Sequence, residues 1–379
     1  MKRKILIWAM ALLTATAGLS GCAADEGAAN SDPVESAAVS GAAQDESGEA
    51  AESSVEETEE DDTVYTDEQY FQYSHYMEED ETISISGYTG TDTEVVIPKT
   101  IDGYTVECID QYSFTGNTDI TKVVIPDTVT RIGEEAFRNC SNLEEIVLPD
   151  STISIRAYAF DGTAWYENQP DGMMYIGKVV YGYKCDNMEE ITAVEIADGT
   201  LGVAERAFFN FVNLSEISVP DSVLSIGSQA FAGTAWLEAA ENNTVVYAGK
   251  VAYLYNASYT SNAVAVELEP GTVAIADSCF SGCEELYYIG LPDGLVRIGR
   301  AAFQGTGLTA VELPDSVTTI GGAAFFTCHS LSSITIPESV TYIGQSAFQS
   351  CESLTIQGHE GSVAESYADA YDIPFTEIN

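Results

Sequence analysis

Past residue 95 the chain repeats a single arrangement of apolar and polar positions. A phenylalanine, usually after alanine, returns at Phe114, Phe137, Phe160, Phe208, Phe231, Phe280, Phe303, Phe325 and Phe348, at spacings of 23, 23, 48, 23, 49, 23, 22 and 23. Two intervals are one period plus an insertion of about 25 residues. The frame around each phenylalanine is constant, as in "NLEEIVLPDSTISIRAYAF", "NLSEISVPDSVLSIGSQAF", "GLTAVELPDSVTTIGGAAF" and "SLSSITIPESVTYIGQSAF". Leu, two variable residues, Ile or Val, one variable residue and a further aliphatic before Pro predict a short strand with one buried face. Pro-Asp-Ser turns the chain, Val-x-x-Ile-Gly predicts a second short extended piece, and Ala-Phe returns it to the core. A unit this short cannot bury its apolar face alone, but units stacked at about 4.8 Å share one continuous core. The pattern therefore predicts a β-rich solenoid of about nine to ten coils of ~23 residues.

The frame closely resembles the BspA-like class of bacterial leucine-rich repeats, whose unit runs Cys-x-x-Leu-x-x-Ile-x-Ile-Pro-x-x-Val-x-x-Ile-Gly-x-x-Ala-Phe. The resemblance covers roughly Val95 to Ile356 and includes at least five complete copies. It implies a curved leucine-rich-repeat solenoid and a role in cell-surface adhesion and interaction. Two segments depart from the unit. "VEIADGTLGVAERAF" and "VELEPGTVAIADSCF" lack the Pro-Asp-Ser turn, so irregular coils are expected there.

Each irregular segment follows a "GTAW" and an insert, "TAWYENQPDGMMYIGKVVYGYK" or "TAWLEAAENNTVVYAGKVAYLYN". Gly177-Lys178 and Gly249-Lys250 lie between β-rich runs and suit two-residue hairpin turns. Two inserted β-hairpins are expected to project from one edge of the solenoid, with Trp165 and Trp236 packing their bases. The resemblance extends to these inserts. A solenoid exposes core at both ends, so residues 65–104 are expected to form an amino-terminal cap of short strands. Residues 357–379 are expected to form a carboxyl-terminal cap, with a helix suggested by the spacing of Val363, Tyr367 and Ala370 and a final strand through Phe375.

Charge divides the chain further. There are 60 Asp and Glu against 14 Lys and Arg, a net charge of −46, which excludes nucleic acid as an electrostatic partner. Residues 1–21 open with Lys2, Arg3 and Lys4 and continue through an apolar run, Ile5 to Ala17, too short to span a bilayer. They read as a signal peptide. Its end, Leu19-Ser20-Gly21-Cys22, resembles the lipobox of bacterial lipoproteins, which implies cleavage before Cys22 and lipidation of its sulfur. Residues 22–64 carry no aromatic residue, Lys or Arg, and read as a disordered acidic tether with an end-to-end distance of ~36 Å. Residues 65–379 form the predicted solenoid. From Thr82 onward 40 acids face 11 bases, so the body is acidic in its own right.

Candidate chemistry is sparse. Cys140, Cys283, Cys328 and Cys351 all stand three residues before the strand-opening Leu, the slot Asn117 also fills. The leucine-rich-repeat resemblance implies that such residues face inward and satisfy backbone groups between coils. A zinc site from Cys279, Cys283 and His329 fits no structural zinc spacing. His75, His329 and His359 lie in no catalytic motif, and no enzyme, metal or cofactor is expected. Asp127, Asp150, Asp221, Asp293 and Asp315, with Glu338, follow the strand-ending Pro. They read as turn residues or, alternatively, as a carboxylate column for Ca²⁺.

The outward strand positions form the candidate binding face. One column runs Lys122, Glu145, Ala193, Glu216, Ala265, Tyr288, Ala310 and Ser333. Its neighbour includes Glu195, Glu267, Glu312 and Thr335, and Tyr287 stands beside Tyr288. The alternative is a merely solvated sheet. The functional expectation is a lipid-anchored protein on the extracellular face of the bacterial membrane, binding an extracellular protein or peptide, a basic one by charge. A glycan- or peptide-binding part of a surface assembly is the alternative, and an enzyme on surface polymers a weaker one.

Overall fold

The computed structural model describes residues 63–75, 82–257 and 263–378. The signal peptide, Cys22 and all but the last two residues of the tether lie outside the described residues. The described chain is the expected leucine-rich-repeat solenoid, with two short strands per coil. The longer is the Leu-x-x-Ile-x-Ile segment, as at Lys122–Val124 and Glu145–Val147. The shorter has two residues and centres on the isoleucine of Val-x-x-Ile-Gly, as at Arg131–Ile132 and Ser154–Ile155. Each pairs in parallel with its counterpart one coil on, Lys122 with Glu145 and Arg131 with Ser154.

The two sides of the stack differ. Long strands fall into four separate sheets, with breaks after Glu145–Val147, Glu216–Ser218 and Leu286–Gly290. On the short-strand side the coils stay bonded across both inserts: Glu205 N–H donates to Ile155 O at 3.0 Å, and Asp277 N–H to Ile226 O at 3.2 Å. The short strands fall into three sheets, but these bonds bridge them, so the short-strand side is the closer-packed, inner side of the stack. Burial agrees. Arg131 and Arg297 precede core isoleucines and so point away from the core, yet each is only 4% exposed.

The inserts correct the expectation of projecting hairpins. Gly172–Ile176 and Val179–Lys184 form one antiparallel pair, and Val245–Ala248 and Val251–Tyr255 the other. The second strand of each then pairs in parallel with the next short strand, Val179 with Gly202 and Val251 with Ala274. Val179, Val180, Val251 and Ala252 are fully buried. These strands are therefore rungs of the inner sheet. The amino-terminal cap has the same layout: Phe71–Ser74 runs antiparallel to Thr82–Tyr88, which pairs in parallel with Tyr104–Ile109. All three hairpins carry a register shift in the first strand, at Gln72/Tyr73, Met174/Tyr175 and Val246/Tyr247. Because hairpin and cap rungs carry no repeat phenylalanine, the solenoid makes about 13 turns, more than the nine to ten read from phenylalanine spacing.

The hairpins also divide the core into three clusters. Within a cluster the phenylalanine rings stack nearly parallel, with centroids 4.7 Å apart for Phe114 and Phe137, 5.5 Å for Phe208 and Phe231, and 5.1 Å for Phe303 and Phe325. Each ring's backbone N–H donates to a carbonyl of the next coil, as from Phe137 to Ala159 O and from Phe303 to Ala324 O. Phe160, Phe231 and Phe348 are each last in a cluster and lack that carbonyl. Their N–H groups donate instead to the hydroxyls of Tyr181 (3.0 Å), Tyr253 (3.0 Å) and Tyr367 (3.5 Å). Each tyrosine ring meets its phenylalanine edge-on and ends the stack. Burial raises all three phenols well above their usual range, so they remain neutral donors and acceptors. Tyr181 and Tyr253 occupy the hairpin position held in the first cap by Ser86, which is exposed.

The hairpins also explain the missing prolines. In a regular coil Pro carries no N–H at the strand end, so none is left unsatisfied. After each hairpin a non-proline residue stands there, and its N–H donates to a hairpin tyrosine: Ala197 to Tyr175 Oη at 3.0 Å and Glu269 to Tyr247 Oη at 2.9 Å. The turn itself persists, Thr200 N–H donating to Ala197 O and Thr272 N–H to Glu269 O. Both coils expected to be irregular are thus regular. Trp165 and Trp236 do pack at the hairpin bases, 5.8 Å from Tyr181 and 6.2 Å from Tyr253.

The cysteine slot behaves as expected. Cys140, Cys328 and Cys351 each donate to the carbonyl of the phenylalanine one coil back, at 3.0 to 3.1 Å. The terminal helix, Val363–Ala370, buries Ala364, Tyr367 and Ala368, so of the expected stripe only Tyr367 faces inward while Val363 and Ala370 are exposed. A left-handed residue precedes every repeat phenylalanine by two places, from Tyr112 (φ 61°) to Ser346 (φ 54°).

Two consequences can be measured by urea unfolding. Tyr181→Phe and Tyr253→Phe each leave a buried N–H without an acceptor and are expected to cost about 1–3 kcal/mol. Ser86→Ala should change stability by less than ~0.5 kcal/mol, and equal effects at all three would show the hydroxyls to be inert. Ala323→Gly, at φ 54°, is expected to stabilise by about 0.5 kcal/mol, the relief of left-handed strain exceeding the entropy that glycine adds to the unfolded chain.

Candidate functional site

The outward columns are aligned as their spacing predicts, but the face they line is broken. Lys122 and Glu145 are cross-strand neighbours joined by a 2.8 Å ion pair that consumes both charges. Glu195 and Glu216 lie on an isolated pair of strands around a shallow hollow of about 420 Å³. The other five residues, Glu267, Tyr287, Tyr288, Glu312 and Thr335, meet along one open groove of about 750 Å³. Asp293 and Asp315 join them there.

A single missing residue marks the place where the groove opens. Phe303 to Phe325 is the one interval of 22, and the shortfall falls in "FQGTGL", where five steps connect Phe303 to Leu308 in place of the usual six. The short turn presses Gly307 against its neighbour; a Cβ there would stand 2.2 Å from Glu284 O. Thr306 fills the cysteine slot, its hydroxyl 3.2 Å from Cys328 Sγ. A chain shortened there cannot bring the next strand fully alongside the last. Leu286–Gly290 and Ala310–Glu312 accordingly belong to different sheets, and Thr309 N–H reaches Tyr287 O only at 3.4 Å. On the near side Val264 pairs with Leu286 and Ala265 with Tyr288, which leaves Tyr287 as a bulged residue. Tyr287 and Tyr288 are 46% and 44% exposed.

Electrostatics separate this groove from the rest of the surface. Three strand-end aspartates are held by lysines: Asp127 by Lys99 (2.9 Å), Asp150 by Lys178 (2.6 Å) and Asp221 by Lys250 (2.7 Å). Lys178 and Lys250 are the hairpin-turn residues, so each hairpin neutralises the coil before it. No hairpin follows Asp293 or Asp315, and neither makes an ion pair among the described residues. Arg300 is the last basic residue of the chain. Glu267, Asp293, Glu312 and Asp315 therefore line a groove with no Lys or Arg. The Glu267 carboxylate lies over Gly290, where a Cβ would be 1.6 Å from Oε2, and its charge and hydrogen bond hold the Tyr288 phenol above its usual range. Thr335 Oγ1 donates to Gln357 Oε1 at 3.0 Å on the far wall.

The aspartate column is thus not one Ca²⁺-facing array, since its first three members bind lysines. Among the described residues no three metal-binding side chains converge. Cys279 and Cys283 are buried in one coil, while His329 is exposed beside Glu352 (3.1 Å). The sequence reading placed Asp293 and Asp315 in turns or in a Ca²⁺ column, and not on the binding face. The interval of 22 was the available signal for their groove. It also passed over the inner face, where Arg131, Arg156, Arg297 and Arg300 stand on or beside the short strands; "TRIG" and "VRIGR" carry that signal.

Several solved structures are similar to this chain. A leucine-rich repeat protein from Bacteroides ovatus is 23% identical, over 84% of this chain and 100% of that one, with a TM-score of 0.30. A leucine rich cell surface protein from Faecalibacterium prausnitzii is 23% identical, over 84% and 98%, with a TM-score of 0.29. The pneumococcal vaccine antigen PcpA is 15% identical, over 83% and 98%, with a TM-score of 0.29. No curated protein matches. The family described as BspA type leucine rich repeat region matches in six copies, over residues 107–238, 176–264 and 253–371, together more than half of the chain. With its coils, its cysteine slots and its phenylalanine stack on the same period, this chain belongs to the BspA-type leucine-rich-repeat family.

Proposed function

We propose that this protein is displayed on the bacterial cell surface and binds a protein partner through a cationic segment seated in the groove between Leu286–Gly290 and Ala310–Glu312. One observation carries the reading: four carboxylates and two exposed tyrosines line that groove without a single basic side chain. Acidic side chains unopposed by neighbours attract Lys and Arg over roughly a Debye length, and tyrosine faces add cation–π contact. The residues Lys122 and Glu145, already paired, contribute nothing to such a ligand, and Glu195 and Glu216 form a smaller secondary patch. Membership of the BspA-type family supports surface display. The lipobox-like Leu19-Ser20-Gly21-Cys22 supports a lipid anchor at Cys22, with the acidic stretch to residue 64 as its tether. A neutral glycan is the second reading, favoured by the adjacent pair Tyr287 and Tyr288.

Binding of a lysine-rich peptide at 50 and 500 mM salt separates the two. A cationic partner is expected to lose about tenfold or more in affinity at high salt, and to lose about tenfold with Glu267→Lys plus Glu312→Lys. Salt-independent binding of neutral oligosaccharides, with no binding of the peptide, would favour the glycan. Inserting one residue between Thr306 and Gly307, which restores the 23-residue spacing, should close the groove and remove peptide binding while leaving the fold intact. For the anchor, Cys22→Ala is expected to release the protein from the membrane fraction or leave its precursor uncut; normal membrane retention would contradict lipidation.

A further inference from the structure

The long strands part at three places, and the residue that ends the strand registers each break. In the six unbroken coils that residue, from Ile97 to Ile336, is buried. Its N–H donates to the outer strand of the next coil, as from Ile125 to Val147 O at 3.0 Å and from Leu313 to Thr335 O at 3.1 Å. Leu148, Val219 and Leu291 hold the same place at the three breaks. Each is only half-buried, and among the described residues none of them makes that bond.

The chain covers the first two breaks itself. The turn of the first hairpin lies on Leu148 and that of the second on Val219: a Cβ on Gly177 would stand 3.6 Å from Leu148 O, and one on Gly249 2.9 Å from Val219 O. Both glycines are left-handed, at φ 54° and 60°, so the residue that meets the strand end is one that needs no Cβ. The next residue of each turn is a lysine, and it pairs with the aspartate two places beyond the strand end, Lys178 with Asp150 at 2.6 Å and Lys250 with Asp221 at 2.7 Å. Glycine gives close approach, and lysine neutralises the carboxylate beside it.

The third break has the receiving half of this arrangement without the turn. Leu291 and Asp293 stand at the same spacing as Leu148 and Asp150, and both line the groove. Leu291 packs against its core cluster from a partly buried position, as Leu148 and Val219 do against theirs. Asp293 makes no ion pair among the described residues. The two hairpins are rungs of the inner sheet, with Val179 and Val251 fully buried, so neither they nor those of a second copy are free to dock here. We propose that the groove receives a glycine–lysine turn of the protein partner, the glycine seated on Leu291 and the lysine paired with Asp293. This rests on the reading of the groove as a site for a cationic segment and narrows it, because recognition then requires an ordered turn and not positive charge alone.

Ligand-observed NMR titration of the full chain tests the inference with two peptides of equal composition and charge. One is a backbone-cyclised hairpin carrying residues 173–182, MMYIGKVVYG, and the other is its linear scramble. The hairpin is expected to bind about tenfold more tightly, since its turn is already ordered. Asp293→Asn should weaken hairpin binding about threefold, the worth of one exposed ion pair. Asp221→Asn, whose partner Lys250 lies in the same chain, should leave it unchanged. Equal binding of hairpin and scramble, no binding of the hairpin, or hairpin binding that survives Asp293→Asn intact would overturn the inference. If the lysine-rich peptide still binds in those cases, the cationic reading of the groove stands; if it fails as well, both fall.

Discussion

Every coil of a solenoid depends on the next one for its backbone partners, and here the critical group is the N–H of each repeat phenylalanine. Buried beneath a stacked ring, it has no water to turn to. Inside a cluster the following coil supplies a carbonyl. Wherever the regular stack stops, a tyrosine hydroxyl takes that carbonyl's place, at Tyr181 and Tyr253 inside the chain and at Tyr367 near its end. The hairpins that carry the first two tyrosines repeat the layout of the amino-terminal cap down to the shift of register in the first strand. The molecule is therefore three capped stacks in series. Their caps do double duty, since the turn lysines neutralise Asp150 and Asp221 and hairpin tyrosines accept the N–H groups that proline elsewhere removes.

That arrangement accounts for what the sequence made legible. Period, inward cysteines and strand register all follow from a repeat that must fill the same space in every coil, so they could be read from spacing alone. The hairpins were located correctly and their fate was not. A run such as "VVYGYK" looks the same whether it projects or becomes a rung, and only the pairing of Val179 with Gly202 decides between them. The loss of Pro at Ala197 and Glu269 looked like decay of the repeat because its compensation, a tyrosine hydroxyl, lies 22 residues earlier. The resemblance implied a curved solenoid, but which side packs more closely was equally hidden. That depends on which side of the stack stays bonded across the inserts, and no local pattern encodes it.

The same reasoning locates the functional surface at departures from the repeat and not along its regular columns. Nine outward residues looked equivalent in sequence. Folded, two neutralise one another, two lie apart, and five converge beside the one coil that is a residue short. The deletion opens space, the bulge at Tyr287 turns two aromatic rings outward, and the absence of a later hairpin leaves Asp293 and Asp315 without lysines. Three independent features of the sequence thus coincide at one groove.

The central claim is that recognition belongs to this groove. Hydrogen–deuterium exchange of the full chain, with and without a bound cationic protein, reads the location directly. Added protection is predicted at residues 286–291 and 309–315, with the outer strands at 122–124 and 145–147 unchanged. Protection centred on those amino-terminal strands, or on the inner-face strands around Arg131 and Arg297, would contradict it.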